Sequence, residues 1–141
     1  MTTSISEIRK DFPLLMSNDV IYLDTAATSQ KPSCVLEAER TFYEKYNANP
    51  LRGLYELGEA ATEKYEEARE TVREILNARE AAEIVFVRNA TEGLNLVAYS
   101  FGSLVLKPGD EILVSIMEHH SNLLPWQQAA ARTGAVVKYL E

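Results

Sequence analysis

The chain has 141 residues, 46% of them apolar and 25% charged, the size and composition of one ordinary globular domain rather than a disordered or membrane chain. No run approaches the roughly 20 apolar residues that cross a bilayer, and the opening MTTSISEIRKDFPLL lacks the apolar stretch of a secretory signal. Fourteen basic against twenty-one acidic residues leave a net charge of −7, which argues against nucleic acid as a partner. The single cysteine, Cys34, excludes a disulfide framework and a cysteine-based zinc site, so a cytoplasmic setting is expected.

The first part of the chain reads as mostly helical. Residues 4–10 form a short helix that Asp11-Phe12-Pro13 should close, because a residue before proline avoids the helical region. VIYLD (20–24) is a short β-type run, and TAATSQKP (25–32) is a loop of small polar residues. A helix should start near Pro32, with Val35, Leu36, Phe42, Tyr43 and Tyr46 on its apolar face, and end at NANP (47–50). A second, longer helix is expected from about Glu59 to Leu76, where Leu57, Ala61, Tyr65, Ala68, Val72 and Ile75 recur at three- and four-residue steps.

Near residue 84 the pattern changes to alternation. IVFV (84–87) reads as a strand buried on both faces, and 89–102 as a helix with Gly102 as its stop. Lys107-Pro108-Gly109-Asp110 fits a type II turn, with proline and glycine in the central places. EILVS (111–115) is the next strand. A third helix spans 121–134, with Ser121 as N-cap, Pro125 in its first turn and Gly134 closing it, and AVVKYL (135–140) is a third strand. Strand–helix–strand–helix–strand at these lengths implies parallel strands and an α/β sheet. Such a sheet needs more cover than these elements provide, so an incomplete sheet is expected.

Two loops follow strands directly and so belong to the carboxyl rim, where ligands of parallel sheets collect. In NATEG (89–93), small residues at a helix start would let an anion approach unpaired backbone N–H groups, with the Thr91 hydroxyl as a further donor. The same segment also reads as plain capping, Asn89 as N-cap and Glu92 three residues on. MEHHSN (117–122) holds the two histidines, His119 and His120, either of which offers a ring for stacking or a titratable nitrogen; a satisfied loop histidine is the alternative. Adjacent histidines without a third ligand argue against a metal. Arg52, before Gly53, suits a forked contact to a carboxylate or phosphate, or is an ordinary surface arginine. Cys34 reads as a small semi-buried helix residue rather than a nucleophile.

YLDTAATSQKP (22–32), NAN-x-x-RG (47–53), ATEKYEEAR (61–69), IVFVRNATEGLNLVA (84–98), PGDEILVS (108–115) and MEHHSNLLPWQ (117–127) stand in the order seen in cysteine desulfurases. The chain resembles that group from about Ile5 to Leu140, closest to the sulfur-mobilisation branch that includes selenocysteine lyases. These are pyridoxal-phosphate enzymes of the class V aminotransferase group with the type I transferase fold. The resemblance implies an α/β chain: an N-terminal helical segment, then the first strand–helix units of a large domain. Residues 1–58 would contribute to the small domain, the dimer contact and the active-site mouth, and 59–141 would begin the large domain.

Residue by residue, the resemblance implies that Ala90 and Thr91 bind the phosphate of pyridoxal 5'-phosphate. His119 would stack on its pyridine ring and serve proton transfer. Ala27 would lie near the bound amino acid, and Arg52 near the active-site mouth; no metal is implied. Relatives often carry histidines where this chain has Leu51 and Tyr55, which leaves substrate preference open. The group also needs a lysine after a histidine to tether the cofactor, an acid preceding glycine against the pyridine nitrogen, and a nucleophilic cysteine. None of the six lysines here follows a histidine, none of the four aspartates precedes glycine, and Cys34 does not occupy the cysteine's place. The expectation is the N-terminal part of an enzyme turning L-cysteine into L-alanine with persulfide transfer, inactive as this stretch alone. It would work as a homodimer beside a sulfur-acceptor protein, without nucleic acid or membrane. Selenocysteine lyase, another class V enzyme, or a non-catalytic paralogue acting as a binding subunit are the alternatives.

Overall fold

The computed structural model describes residues 4–140. It divides into two compact units, Met1–Glu83 and Ile84–Glu141, at the point where the sequence changes character.

The first unit is helical. Helix α1 (Ile5–Lys10) is capped by Ser4, whose hydroxyl accepts the Glu7 N–H. Pro13 does more than follow its end: it opens a second short helix, α2 (Pro13–Ser17), since its missing N–H costs nothing at a first turn. Helix α3 (Ser33–Lys45) begins one residue after Pro32, and both the N–H and the hydroxyl of Ser33 donate to the Asp11 carbonyl, at 2.7 and 3.1 Å. That pair ties the exit of α1 to the entry of α3.

The 20–24 run is not a strand. Its carbonyls are taken by other groups: Val20 O by the Arg9 guanidinium, and Asp24 O by the Tyr22 hydroxyl and the N–H groups of Ala27 and Thr28. Helix α4 runs from Glu56 to Leu76, starting three residues before the expected Glu59. Glu56 and Glu59 in its first turn suit the positive end of the helix dipole. It ends at Asn77 in the left-handed conformation (φ 53°), which asparagine tolerates better than most residues. Gly58 and Ala61 of α4 are buried.

The second unit is α/β. Helix α5 spans Ala90–Tyr99 and α6 spans Phe101–Val105. Gly102 therefore does not stop a helix. It lies buried inside α6, where an added Cβ would meet Trp126 and Ala129 at 3.7 and 3.8 Å, so close packing is its role. The helical path breaks earlier, at Ser100, whose hydroxyl turns back to the Leu96 carbonyl, a bond that competes with the helix's own.

Strands β1 (Glu111–Ser115) and β2 (Val136–Leu140) pair in parallel, Glu111 opposite Val136 through Ser115 opposite Leu140. Helix α7 (Leu124–Thr133) connects them, the expected crossover. The 107–110 turn forms with Gly109 at φ 89°, and the Lys107 N–H donates to the Asp110 carboxylate at 2.8 Å. Gly109 N–H then donates to Gly134 O, and Val136 N–H to Asp110 O, stitching the turn to the end of α7.

Among the described residues this sheet has two strands. Residues 84–87 are outside it, a correction to the strand read from IVFV. The buried apolar residues of this unit are Ile84, Ala98, Val114, Ala129, Ala130 and Ala135. The small side chains let α5 and α7 approach closely, which brings the start of α5 to the loop after β1.

Candidate functional site

The entry to α5 is built by two side chains. Asn89 sits in extended conformation and its Oδ1 accepts the Glu92 N–H at 2.9 Å, while its carbonyl accepts the Gly93 N–H. Glu92 turns back to accept the Arg88 N–H at 2.6 Å and the Arg88 guanidinium at 3.0 Å. The hydrogen bonds from Arg88 hold the Glu92 carboxyl below the ordinary glutamate range. Capping thus satisfies the N–H groups of residues 88 and 92. Those of Ala90 and Thr91, together with the Thr91 hydroxyl, have no hydrogen-bond partner among the described residues. The capped helix and the anion cup are not alternatives here. The cap leaves open two adjacent donors at the positive end of the helix dipole, the donor set that a phosphate takes.

The loop after β1 closes on itself in three places. Ser115 Oγ accepts the Met117 N–H at 2.9 Å. Trp126 Nε1 donates to Asn122 Oδ1 at 3.0 Å, and Asn122 Nδ2 donates to the Glu118 carboxylate at 2.8 Å. His119 Nδ1 accepts the Ser121 N–H at 3.1 Å and lies 2.9 Å from the Ser121 hydroxyl. Ser121 is therefore not the N-cap of α7, which starts at Leu124 after a 3-10 turn over His120–Asn122. The Glu118–Asn122–Trp126 chain was missed in sequence reasoning; its signal is the four-residue spacing, which stacks side chains on one side of a helical turn.

These parts share one cavity of about 350 Å³. Thr91 and Asn95 of α5, His119, His120 and Ser121 of the loop, and Leu124, Pro125 and Gln128 of α7 line it. Thr91 and His119 thus face a common space, and Ala90 adjoins Thr91 with its N–H free. The groups offered around this space are backbone and hydroxyl donors at Ala90 and Thr91 and the imidazole of His119.

Ala27 and Arg52 belong to the other unit. Ala27 lies in a turn whose N–H groups bond to Asp24 O and which the Tyr22 hydroxyl clasps through Asp24 O and Thr28 O, at 3.1 and 2.6 Å. Arg52 is exposed and has no ion-pair or hydrogen-bond partner among the described residues. Its loop is rigidly built. Leu51 adopts φ 66°, its N–H donates to Thr62 Oγ1 at 2.9 Å, and the Thr62 hydroxyl donates to Gly58 O at 2.7 Å. Gly53 and Gly58 touch backbone to backbone: a Cβ on Gly58 would stand 2.5 Å from the Gly53 Cα. Cys34 is exposed rather than semi-buried. No group of three or more His, Cys, Asp or Glu suited to a metal occurs among the described residues, and none of their helices is long and apolar enough to cross a membrane.

The α/β unit thus sets free helix-start donors and a rim histidine around one cavity. The description of aminotransferase class V matches residues 21–141, and the chain belongs to that family. It is 53% identical over 138 residues to a probable cysteine desulfurase of Synechocystis sp., covering 95% of this chain and 33% of that relative. It is also similar to the apo structure of cysteine desulfurase from Thermococcus onnurineus NA1, with a TM-score of 0.90 and 43% identity over all of this chain and 34% of that one. The cysteine desulfurase CsdA of Escherichia coli gives a TM-score of 0.82 at 41% identity, covering 99% of this chain and 35% of the other. The chain spans about a third of the length of the relatives it matches.

Proposed function

We propose that this chain supplies the phosphate cup and the ring-stacking histidine of a pyridoxal-phosphate-dependent cysteine desulfurase. The observation that carries the proposal is the pair of open N–H groups at Ala90 and Thr91, with Thr91 lining the same cavity as His119, in a chain of the class V family. Ala90 and Thr91 would hold the phosphate through two backbone donors and one hydroxyl. Arg88 would keep the Glu92 carboxylate engaged, limiting its repulsion of that dianion. His119 would cover one face of the pyridine ring. Ala27, with no side chain beyond Cβ, would leave room for the amino acid, and Arg52 would offer a charged fork at the mouth.

Bound in this way, pyridoxal phosphate would serve as an electron sink for the amino acid's α-carbon. The overall reaction takes L-cysteine and an enzyme thiol to L-alanine and an enzyme persulfide. The substrate's carbon–sulfur bond breaks, a sulfur–sulfur bond forms, and the thiol's hydrogen is balanced in the alanine methyl group. The lysine, the pyridine-facing acid and the acceptor cysteine are not among these 141 residues. Residues 1–58 would serve the small domain and the mouth, and 59–141 the large domain, of a cytoplasmic homodimer. It would hand sulfur to an acceptor protein, for instance in iron–sulfur cluster assembly.

Calorimetric titration with pyridoxal 5'-phosphate and with pyridoxal tests the cup directly. A charge-assisted hydrogen bond contributes roughly 1.5–3 kcal/mol, so the phosphorylated form should bind at least about tenfold more tightly. Equal affinities would sink the assignment of Ala90 and Thr91.

A further inference from the structure

His119 has two ring nitrogens, and the structure distinguishes them. Nδ1 lies 3.1 Å from the Ser121 backbone nitrogen, which donates to it, and 2.9 Å from the Ser121 hydroxyl. A backbone N–H has only a proton to offer. The nitrogen that receives it must present a lone pair, so in the neutral ring the hydrogen resides on Nε2. Nε2 itself has no partner among the described residues. The remaining loop bonds keep this arrangement in register: the Asn122 N–H donates to the His119 carbonyl at 2.8 Å, and the Asn122 side chain is held between Glu118 and Trp126.

We propose that Ser121 is a positioning residue that fixes the tautomer of His119, so that the neutral ring offers Nε2–H as a donor and keeps its lone pair at Nδ1 engaged. The consequence is chemical. Toward a ligand at Nε2, the neutral ring gives a hydrogen bond and does not accept one. A proton arriving at the neutral ring would have to be taken at Nδ1, the position that Ser121 already fills. The group offered to Nε2 is therefore an acceptor: a phenolate or carboxylate oxygen, or a thiolate. Extending this to a bound amino acid rests on the cofactor reading above; the tautomer itself does not.

The test is long-range proton–nitrogen NMR of the protein labelled with 15N-histidine, without cofactor. His119 is assigned by the signal lost in His119→Gln. The expected pattern at neutral pH is a lone-pair-type shift at Nδ1 and a hydrogen-bearing shift at Nε2. Ser121→Ala keeps the backbone N–H that donates to Nδ1 and should leave the pattern in place, whereas Ser121→Pro removes that N–H and should draw the two shifts toward each other as the second tautomer gains population. A hydrogen-bearing Nδ1 in the unaltered protein would overturn the proposal, as would unchanged shifts in a folded Ser121→Pro variant. Because the measurement needs no pyridoxal phosphate, a failed tautomer assignment and a failed cofactor reading would be told apart.

Discussion

Thr91 contributes to the cup both by its backbone N–H and by its hydroxyl, and only the second can be removed by substitution. Thr91→Val keeps the shape and deletes one donor to a charged group, a loss of about 1.5 kcal/mol. The dissociation constant for pyridoxal 5'-phosphate should therefore rise about tenfold by calorimetry, while pyridoxal binding stays unchanged. Glu92 supports the same turn from the other side. Its carboxyl is held below the ordinary range by the hydrogen bonds from Arg88, so its stabilising contribution is complete above the unfolded-state value. That contribution is lost as pH falls through the lowered one. The protection of the Arg88 amide relative to a free amide at the same pH should fall as the solution is acidified across that interval, and Glu92→Gln should abolish the dependence. An exchange rate that follows only the chemistry of free amides would contradict the bond.

At the scale of elements, the close contacts around glycine decide more than the helices' apolar stripes. Gly58→Ala places a Cβ against the Gly53 backbone, and overpacking of this kind costs about 1–3 kcal/mol; urea unfolding should show it as a lowered midpoint. Gly109 and Gly134 both have positive φ, but a Cβ at Gly109 meets nothing within 4 Å, whereas one at Gly134 meets Pro108 at 3.1 Å. Left-handed strain of about 1–2 kcal/mol applies to both alanine variants, so Gly134→Ala should destabilise more than Gly109→Ala in parallel melts. Periodicity and turn chemistry made α3, α4, the 107–110 turn and the parallel pair legible in the sequence. Local pattern did not reveal that Val20 and Asp24 would have their carbonyls taken by side chains, that Gly102 would serve packing, or that Ser121 would bind a ring rather than cap a helix. Val20 and Gly102 meet partners brought up by folding, Arg9 and Trp126, whereas Asp24 and Ser121 find theirs two residues away, in side-chain bonds that periodicity does not single out. Asn89 and Glu92 could be read as caps and Ala90 and Thr91 as a cup; that both hold at once is a matter of which N–H groups the caps consume.

For the whole molecule, the buried apolar set is mostly alanine, with Ile84 and Val114 the larger members among the described residues. Large side chains such as Leu113 and Met117 stay 61% and 89% exposed. A core this thin leaves little hydrophobic free energy to offset chain entropy. The chain by itself should bind the dye ANS and unfold with a shallow transition, and Leu113→Lys should reduce both dye binding and any self-association seen by sedimentation. Strong cooperativity without dye binding would contradict this. Chemistry at this scale follows from the inventory: without the tethering lysine and the acceptor cysteine, the 141 residues alone should release no alanine from L-cysteine above a buffer control.

The Trp126–Asn122 bond has a spectroscopic consequence. Trp126 is the chain's one tryptophan, and its indole N–H is fastened to the loop that bears His119. Indole emission from this chain therefore originates at Trp126 alone, beside the loop that lines the cavity. A chromophore that absorbs in the near ultraviolet and settles against the loop should quench that emission by energy transfer. Asn122→Leu, by freeing the indole, should shift the emission wavelength with no ligand present.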